Sequence, residues 1–187
     1  MAKIYFLTHP EVIIDSHIPI PDWDILDEGK KRVELFCQND FLKEINFIYS
    51  SCEVKAKTTA QIIASVLNLE IKYLQDLGEI DRSATGYLVP EQFQTTVKQF
   101  FDRPNQSILG WERAIDAQAR IVKAVKQITQ KHPDQNMLIS SHGGVGALLK
   151  CFIKNISITQ TEDQKSLGSY FVFDTKTWQL ILDWQKI

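Results

Sequence analysis

Four short apolar runs alternate with segments of helical period, and that alternation is the tightest constraint on what this chain can fold into. The runs are Ile4–Leu7, Asn46–Ser51, Ile71–Leu74 and Met137–Ser140. Each is short, β-prone and broken by polar or turn-forming residues, as buried strands are. Between them, apolar residues recur at helical spacing over Thr59–Leu67, with Ile62, Ile63, Val66 and Leu67 expected inside. The same period runs through Glu112–Lys131, with Ile115, Ala119, Val122, Val125 and Ile128 on one face. A first helix is expected from Asp27, placed as an N-cap, with Val33, Phe36, Cys37 and Leu42 facing inward. Further helices are expected near Pro90–Phe101 and over Val145–Ile153. Tyr170–Asp174 and Leu180–Trp184 flank turn residues and read as a hairpin.

Strands alternating with helices imply a mostly parallel sheet covered on both faces. The expected fold class is therefore α/β, a three-layer α/β/α sandwich closed by a C-terminal antiparallel hairpin. Residues 1–187 read as a single domain, with two irregular excursions at 10–25 and 83–110. A chain of 187 residues with 44% hydrophobic content is long enough to bury a sizeable core.

The bulk numbers also narrow the partners. A net charge of -2 provides no global field for nucleic acid or an anionic surface. No apolar run reaches the roughly 18 residues of a membrane span. Three widely spaced cysteines, Cys37, Cys52 and Cys151, fit a reduced cytoplasmic protein better than a disulfide scaffold. Without Cys-x-x-Cys or His-x-x-x-His spacing, no metal is expected.

Two of the four histidines occupy the same kind of place. His9 follows the first strand, at Leu7-Thr8-His9-Pro10-Glu11, where proline stops the ladder. His142 follows the fourth, at Ser140-Ser141-His142-Gly143-Gly144. Ligands of open α/β sheets bind beyond the carboxyl ends of the strands. The two glycines allow close backbone approach, and the next helix turns its free N–H groups toward the same spot, a setting suited to an anion such as phosphate. His17 and His132 read as a loop and a helix-end residue.

These motifs resemble those of the histidine phosphatase superfamily, the phosphoglycerate mutase-like fold. Four pieces stand in that family's order: the strand ending at His9, the turn Ser50-Ser51-Cys52-Glu53-Val54-Lys55-Ala56-Lys57-Thr58-Thr59-Ala60, the acid in Leu77-Gly78-Glu79, and Ser141-His142-Gly143-Gly144. The resemblance implies a phosphatase that uses no cofactor. His9 would form a phosphohistidine, and Glu79 would act as general acid and then base. His142 and the helix start at Gly143 would neutralise the phosphoryl oxygens. The substrate would be a small-molecule phosphoester or a phosphoprotein; oligomeric state is left open.

Two departures matter. The family usually has arginine where Thr8 and Lys55 stand, so these two are the expected phosphate-binding residues in altered form. Lys57, Arg82 and Arg113 are the candidate replacement cations, each weighed against an ordinary solvated charge. A weakened enzyme and an inactive phosphate-binding pseudophosphatase are both compatible with these substitutions. A cysteine phosphatase is excluded because its chemistry wants Cys followed by five residues and then Arg, and after Cys52 that position is Thr58. A site of His9, His142 and one carboxylate on a metal is the remaining alternative. Trp23 and Trp111 are candidates for lining a substrate pocket.

Overall fold

The computed structural model describes residues 2–187. Eleven principal elements follow in order: β1 (Lys3–Thr8), α1 (Asp27–Phe36), β2 (Phe47–Ser50), α2 (Val54–Leu67), β3 (Ile71–Tyr73), α3 (Pro90–Asp102), α4 (Ala114–Lys131), β4 (Met137–Ser141), α5 (Gly143–Ile153), β5 (Ser169–Asp174) and β6 (Leu180–Lys186). The strands form one sheet in the order β3-β2-β4-β1-β5-β6. The first four run parallel, and β5 and β6 are antiparallel additions at the β1 edge. The mixed α/β architecture with its terminal hairpin is the one the alternation implied.

Strand alternation sorts the core into two layers. Ile4, Phe6, Tyr49 and Ile139 face one side, where they pack with residues of α3, α4 and α5. Tyr5, Leu7, Ile48 and Leu138 face the other, against α1 and α2. Successive side chains of a strand point to opposite faces, so both faces of β1 and β4 must be apolar. Among the described residues, no helix is long and apolar enough to cross a membrane.

Several boundaries and faces differ from expectation. Leu26 takes the cap position in extended conformation, and Asp27 is the first helical residue, paired with Lys30. Helix α2 begins at Val54, five residues before Thr59, because its first turn carries no apolar period to mark it. The resulting phase turns Ala56, Ala60, Ile63 and Ala64 inward and leaves Val66 57% exposed. In α4, Ala114, Ala117, Ile121 and Val125 form the inner face, whereas Ile115 and Ala119 are exposed. Small alanines let the helix approach the sheet closely, and an apolar count alone cannot weigh them.

Register sets the position of the functional edge. The parallel pairing of β1 with β4 puts Thr8 opposite Ser141, and that of β2 with β4 puts Ser50 opposite Ser140. The residues leaving these strands, His9, His142 and Ser51, therefore emerge beside one another.

Candidate active site

The rings of His9 and His142 lie edge to face, 5.3 Å between centroids. His9 Nδ1 is 2.7 Å from the carbonyl oxygen of Pro10. A carbonyl only accepts, so Nδ1 carries the hydrogen and Nε2 keeps its lone pair. Burial pushes the His9 pKa down to about 4. The Pro10 carbonyl and Glu53 oppose that shift, and Lys55 and Arg82 add to it. The ring is therefore a neutral base with Nε2 free at neutral pH. An NMR titration of the imidazole is expected to show its midpoint near pH 4, well below the ordinary 6.5. A midpoint at or above 6.5 would mean that the ring is solvated and not held as described.

His142 is completely buried. Its Nε2 lies 2.8 Å from Ser51 Oγ and 3.4 Å from Glu53 Oε1. Ser51 Oγ also accepts from the Glu53 backbone N–H. The other ring nitrogen, Nδ1, is a buried atom with no partner in the structure. Burial holds the His142 pKa well below its usual value, outweighing the attraction of Glu53.

Glu53 is the hub that reading the motifs missed. One of its oxygens accepts from the Glu79 backbone N–H at 2.7 Å, and the other is 2.5 Å from Lys55 Nζ. Burial alone would raise its pKa. His142, Lys55 and the Glu79 N–H together bring it down to about 2. Lys55 is buried, and its ammonium also donates to the Ile20 carbonyl at 2.9 Å. The cation in the usual arginine position thus carries its own counter-ion. An acid two positions before that lysine was the available signal in the sequence.

The N-terminus of helix α5 is already occupied within the protein, by the side chain of Glu79. Its carboxylate accepts from the backbone N–H groups of Gly144 and Val145, each at 3.1 Å, and from that of Ile80 at 3.0 Å. A carboxylate there satisfies N–H groups that the helix leaves unpaired and complements its dipole. Thr8 is buried. Its hydroxyl donates to Gln164 Oε1 at 2.5 Å and accepts from the Ser169 N–H at 3.0 Å. The amide of Gln164 lies over Gly143, where a Cβ would meet its Nε2 at 2.5 Å. A side chain at this position would displace the Gln164 amide, and Gln164 is a second residue that the motifs did not reveal. Beside it, Asp163 is pushed up to about 6, first by burial and then by the charge of Glu79.

A cavity of about 930 Å³ opens beside Glu53 and Glu79, while His9, His142, Thr8 and Lys55 are not on its wall. Glu53, Glu79, Arg82 and Trp111 are on its wall, and both excursions contribute, through Pro19–Pro21 and through Asp81–Ser83. Trp23 is not on that wall; it packs near Tyr87 and donates to the Asp15 and Ile18 carbonyls. Among the described residues, no group of three or more His, Cys, Asp or Glu side chains is arranged to hold a metal ion.

Two facing histidines at adjacent strand ends, an acid at the following helix and a buried cation thus share one edge of the sheet. The chain belongs to the histidine phosphatase superfamily (branch 1), whose family pattern matches residues 11–180. His9 lies just ahead of that span. Phosphoserine phosphatase 1 of Hydrogenobacter thermophilus is 23% identical over 168 residues, which is 86% of this chain and 80% of the relative. Among solved structures, a mycobacterial glucosyl-3-phosphoglycerate phosphatase superposes with a TM-score of 0.81 at 16% identity, covering 100% of this chain and 99% of that one. A phosphoserine phosphatase from Entamoeba histolytica gives 0.74 at 18% identity, covering 100% and 98%. These structural likenesses speak to the fold.

Proposed function

We propose that this protein hydrolyses a small-molecule phosphomonoester, without a metal, through a phosphohistidine on His9. The observation that carries the reading is the His9 ring, hydrogen-bonded through Nδ1 to the Pro10 carbonyl and set against His142. In the first step Glu79 enters as the protonated carboxylic acid; Nε2 attacks phosphorus, the P–O bond to the leaving group breaks, and Glu79 gives that oxygen its proton. In the second, Glu79 takes a proton from water, the water oxygen attacks phosphorus, and the P–N bond breaks to restore His9. Splitting one displacement into two is the gain from a covalent intermediate. His142 would donate from Nδ1 to a phosphoryl oxygen, relieving its unpartnered burial. Lys55 would contribute charge, diminished by Glu53. Thr8 would serve the phosphate through Gln164, which it holds over Gly143 at the start of α5. The relatives named as phosphoserine and glucosyl-3-phosphoglycerate phosphatases support a small phosphorylated metabolite over a phosphoprotein. The free cysteines suit a reducing, cytoplasmic setting.

A second reading, a pseudophosphatase that binds phosphate without turnover, draws on one observation. Lys55, Thr8 and the α5 N-terminus all have partners within the protein. A panel of phosphomonoesters assayed with EDTA present separates the two. The enzyme reading expects turnover that survives the chelator, and a phosphorylated protein whose label is lost in acid and kept in alkali. Turnover abolished by EDTA, or an acid-stable label, would sink it. A folded protein that binds phosphate and turns over nothing would establish the pseudophosphatase.

A further inference from the structure

Each cation around the site can be followed to its partners. Arg113 pairs with Asp116 at the surface. Lys57 lies 6.0 Å from the Tyr73 ring and is not on the cavity wall. Arg120 is on that wall, but its guanidinium is saturated by Glu112 and by the carbonyls of Asp76, Gly78 and Glu79. Lys55 is held by Glu53. Arg82 differs from all of these. It lines the large cavity and also a smaller one of about 110 Å³, sharing both with Glu79. Its guanidinium lies 4.9 Å from the Phe93 ring centroid and 5.6 Å from that of Trp111. Among the described residues it makes no salt bridge, unlike Arg113 and Arg120.

We propose that Arg82 is the phosphate-holding arginine of this site, brought in on the excursion after β3 in place of arginines at positions 8 and 55. The Phe93 and Trp111 rings hold the guanidinium by cation–π contact, which leaves its N–H groups without a carboxylate or carbonyl partner and available to two phosphoryl oxygens. Its charge is among those that depress both His9 and His142, so it is within electrostatic reach of the reacting groups. The sequence explains how the position is held: Phe93 is on α3, whose inward side also carries Phe100, and Trp111 is almost fully buried where the excursion ends. The excursion thus serves as the anion clamp as well as a wall of the cavity.

This inference rests on the phosphate-site reading but not on turnover, so the test measures binding. Titration calorimetry with orthophosphate and orthovanadate compares wild type with Arg82→Met, which keeps an apolar stem on the two rings. The loss expected for a charge-assisted bidentate contact is about tenfold to a hundredfold in affinity. Arg82→Lys and Arg82→Gln form a second pair that differs chiefly in charge, and the lysine variant is expected to bind more tightly than the glutamine. Thermal unfolding run alongside confirms that each variant is folded. Affinity within twofold of wild type in Arg82→Met, or equal affinities in the second pair, would overturn the assignment. Wild type that binds neither anion at millimolar concentration would overturn the phosphate-site reading itself.

Discussion

Replacing His9 with asparagine is expected to lower phosphomonoester turnover by about 10⁴-fold or more while leaving the fold intact. The size follows from what is removed. Without Nε2 no phosphoenzyme can form, and water must displace the leaving group directly, with only the binding groups to help. The fold should be indifferent, because the ring's one hydrogen bond is local, to the carbonyl of the next residue. His9→Gly supplies the stricter version. Added imidazole should diffuse into the space left by the ring, accept the phosphoryl group and restore part of the rate. Rescue that depends on imidazole concentration distinguishes a missing nucleophile from a disturbed site. Full activity in His9→Asn would place the nucleophile elsewhere and remove the mechanism.

Much of this site was legible because chain order and sheet register cooperate. A strand ending in a polar break reveals where its next residue emerges, and two such strands carried His9 and His142. Their adjacency needed the parallel pairing of Thr8 with Ser141, which motif spacing does not contain. Glu79 could be placed after β3, yet its role at the α5 N-terminus depends on a fold-wide contact with Gly144 and Val145. Glu53 is hidden for a different reason: a single acid beside a motif's cation looks like surface charge. Only the burial of Lys55 shows that the two charges are a unit. Thr8 illustrates the converse. Its position marked it as a phosphate contact, but the completely buried hydroxyl is engaged with Gln164 and Ser169 across 156 and 161 residues of sequence. Local pattern reports which element a residue belongs to. Long-range pairing decides which side-chain atoms remain free for chemistry.

Glu53→Gln is expected to destabilise the protein by about 3 kcal/mol and at the same time tighten phosphate binding. Removing one member of a buried ion pair costs roughly 3–5 kcal/mol, because the other charge is left uncompensated. The Lys55 ammonium has only 4% of its side chain exposed and would keep the Ile20 carbonyl as its remaining partner. Glu53 is slightly more exposed, which argues for the lower end of that range. The double variant Glu53→Gln, Lys55→Met removes both charges and is expected to recover most of the loss. The pH dependence has a defined sign. The Glu53 pKa falls from its ordinary 4.5 to about 2 on folding. Its contribution is therefore complete above pH 4.5 and is lost as pH falls through about 2. The stability difference between wild type and Glu53→Gln should shrink over that window. His9, depressed from 6.5 to about 4, makes both proteins acid-sensitive at higher pH; because Glu53 opposes that depression, the variant loses more at His9 as pH falls, which sets the window above pH 4 apart from that of Glu53 itself. Function should move the opposite way. With Glu53 neutral, Lys55 is no longer screened by an adjacent carboxylate, so a phosphate dianion becomes its natural counter-ion. Added phosphate should then stabilise the variant more than wild type, since a ligand that binds only the folded state raises its stability according to its affinity. Denaturant unfolding with and without phosphate measures both effects. A variant as stable as wild type, with the same response to phosphate, would show that Glu53 and Lys55 are not the coupled pair that limits anion binding here.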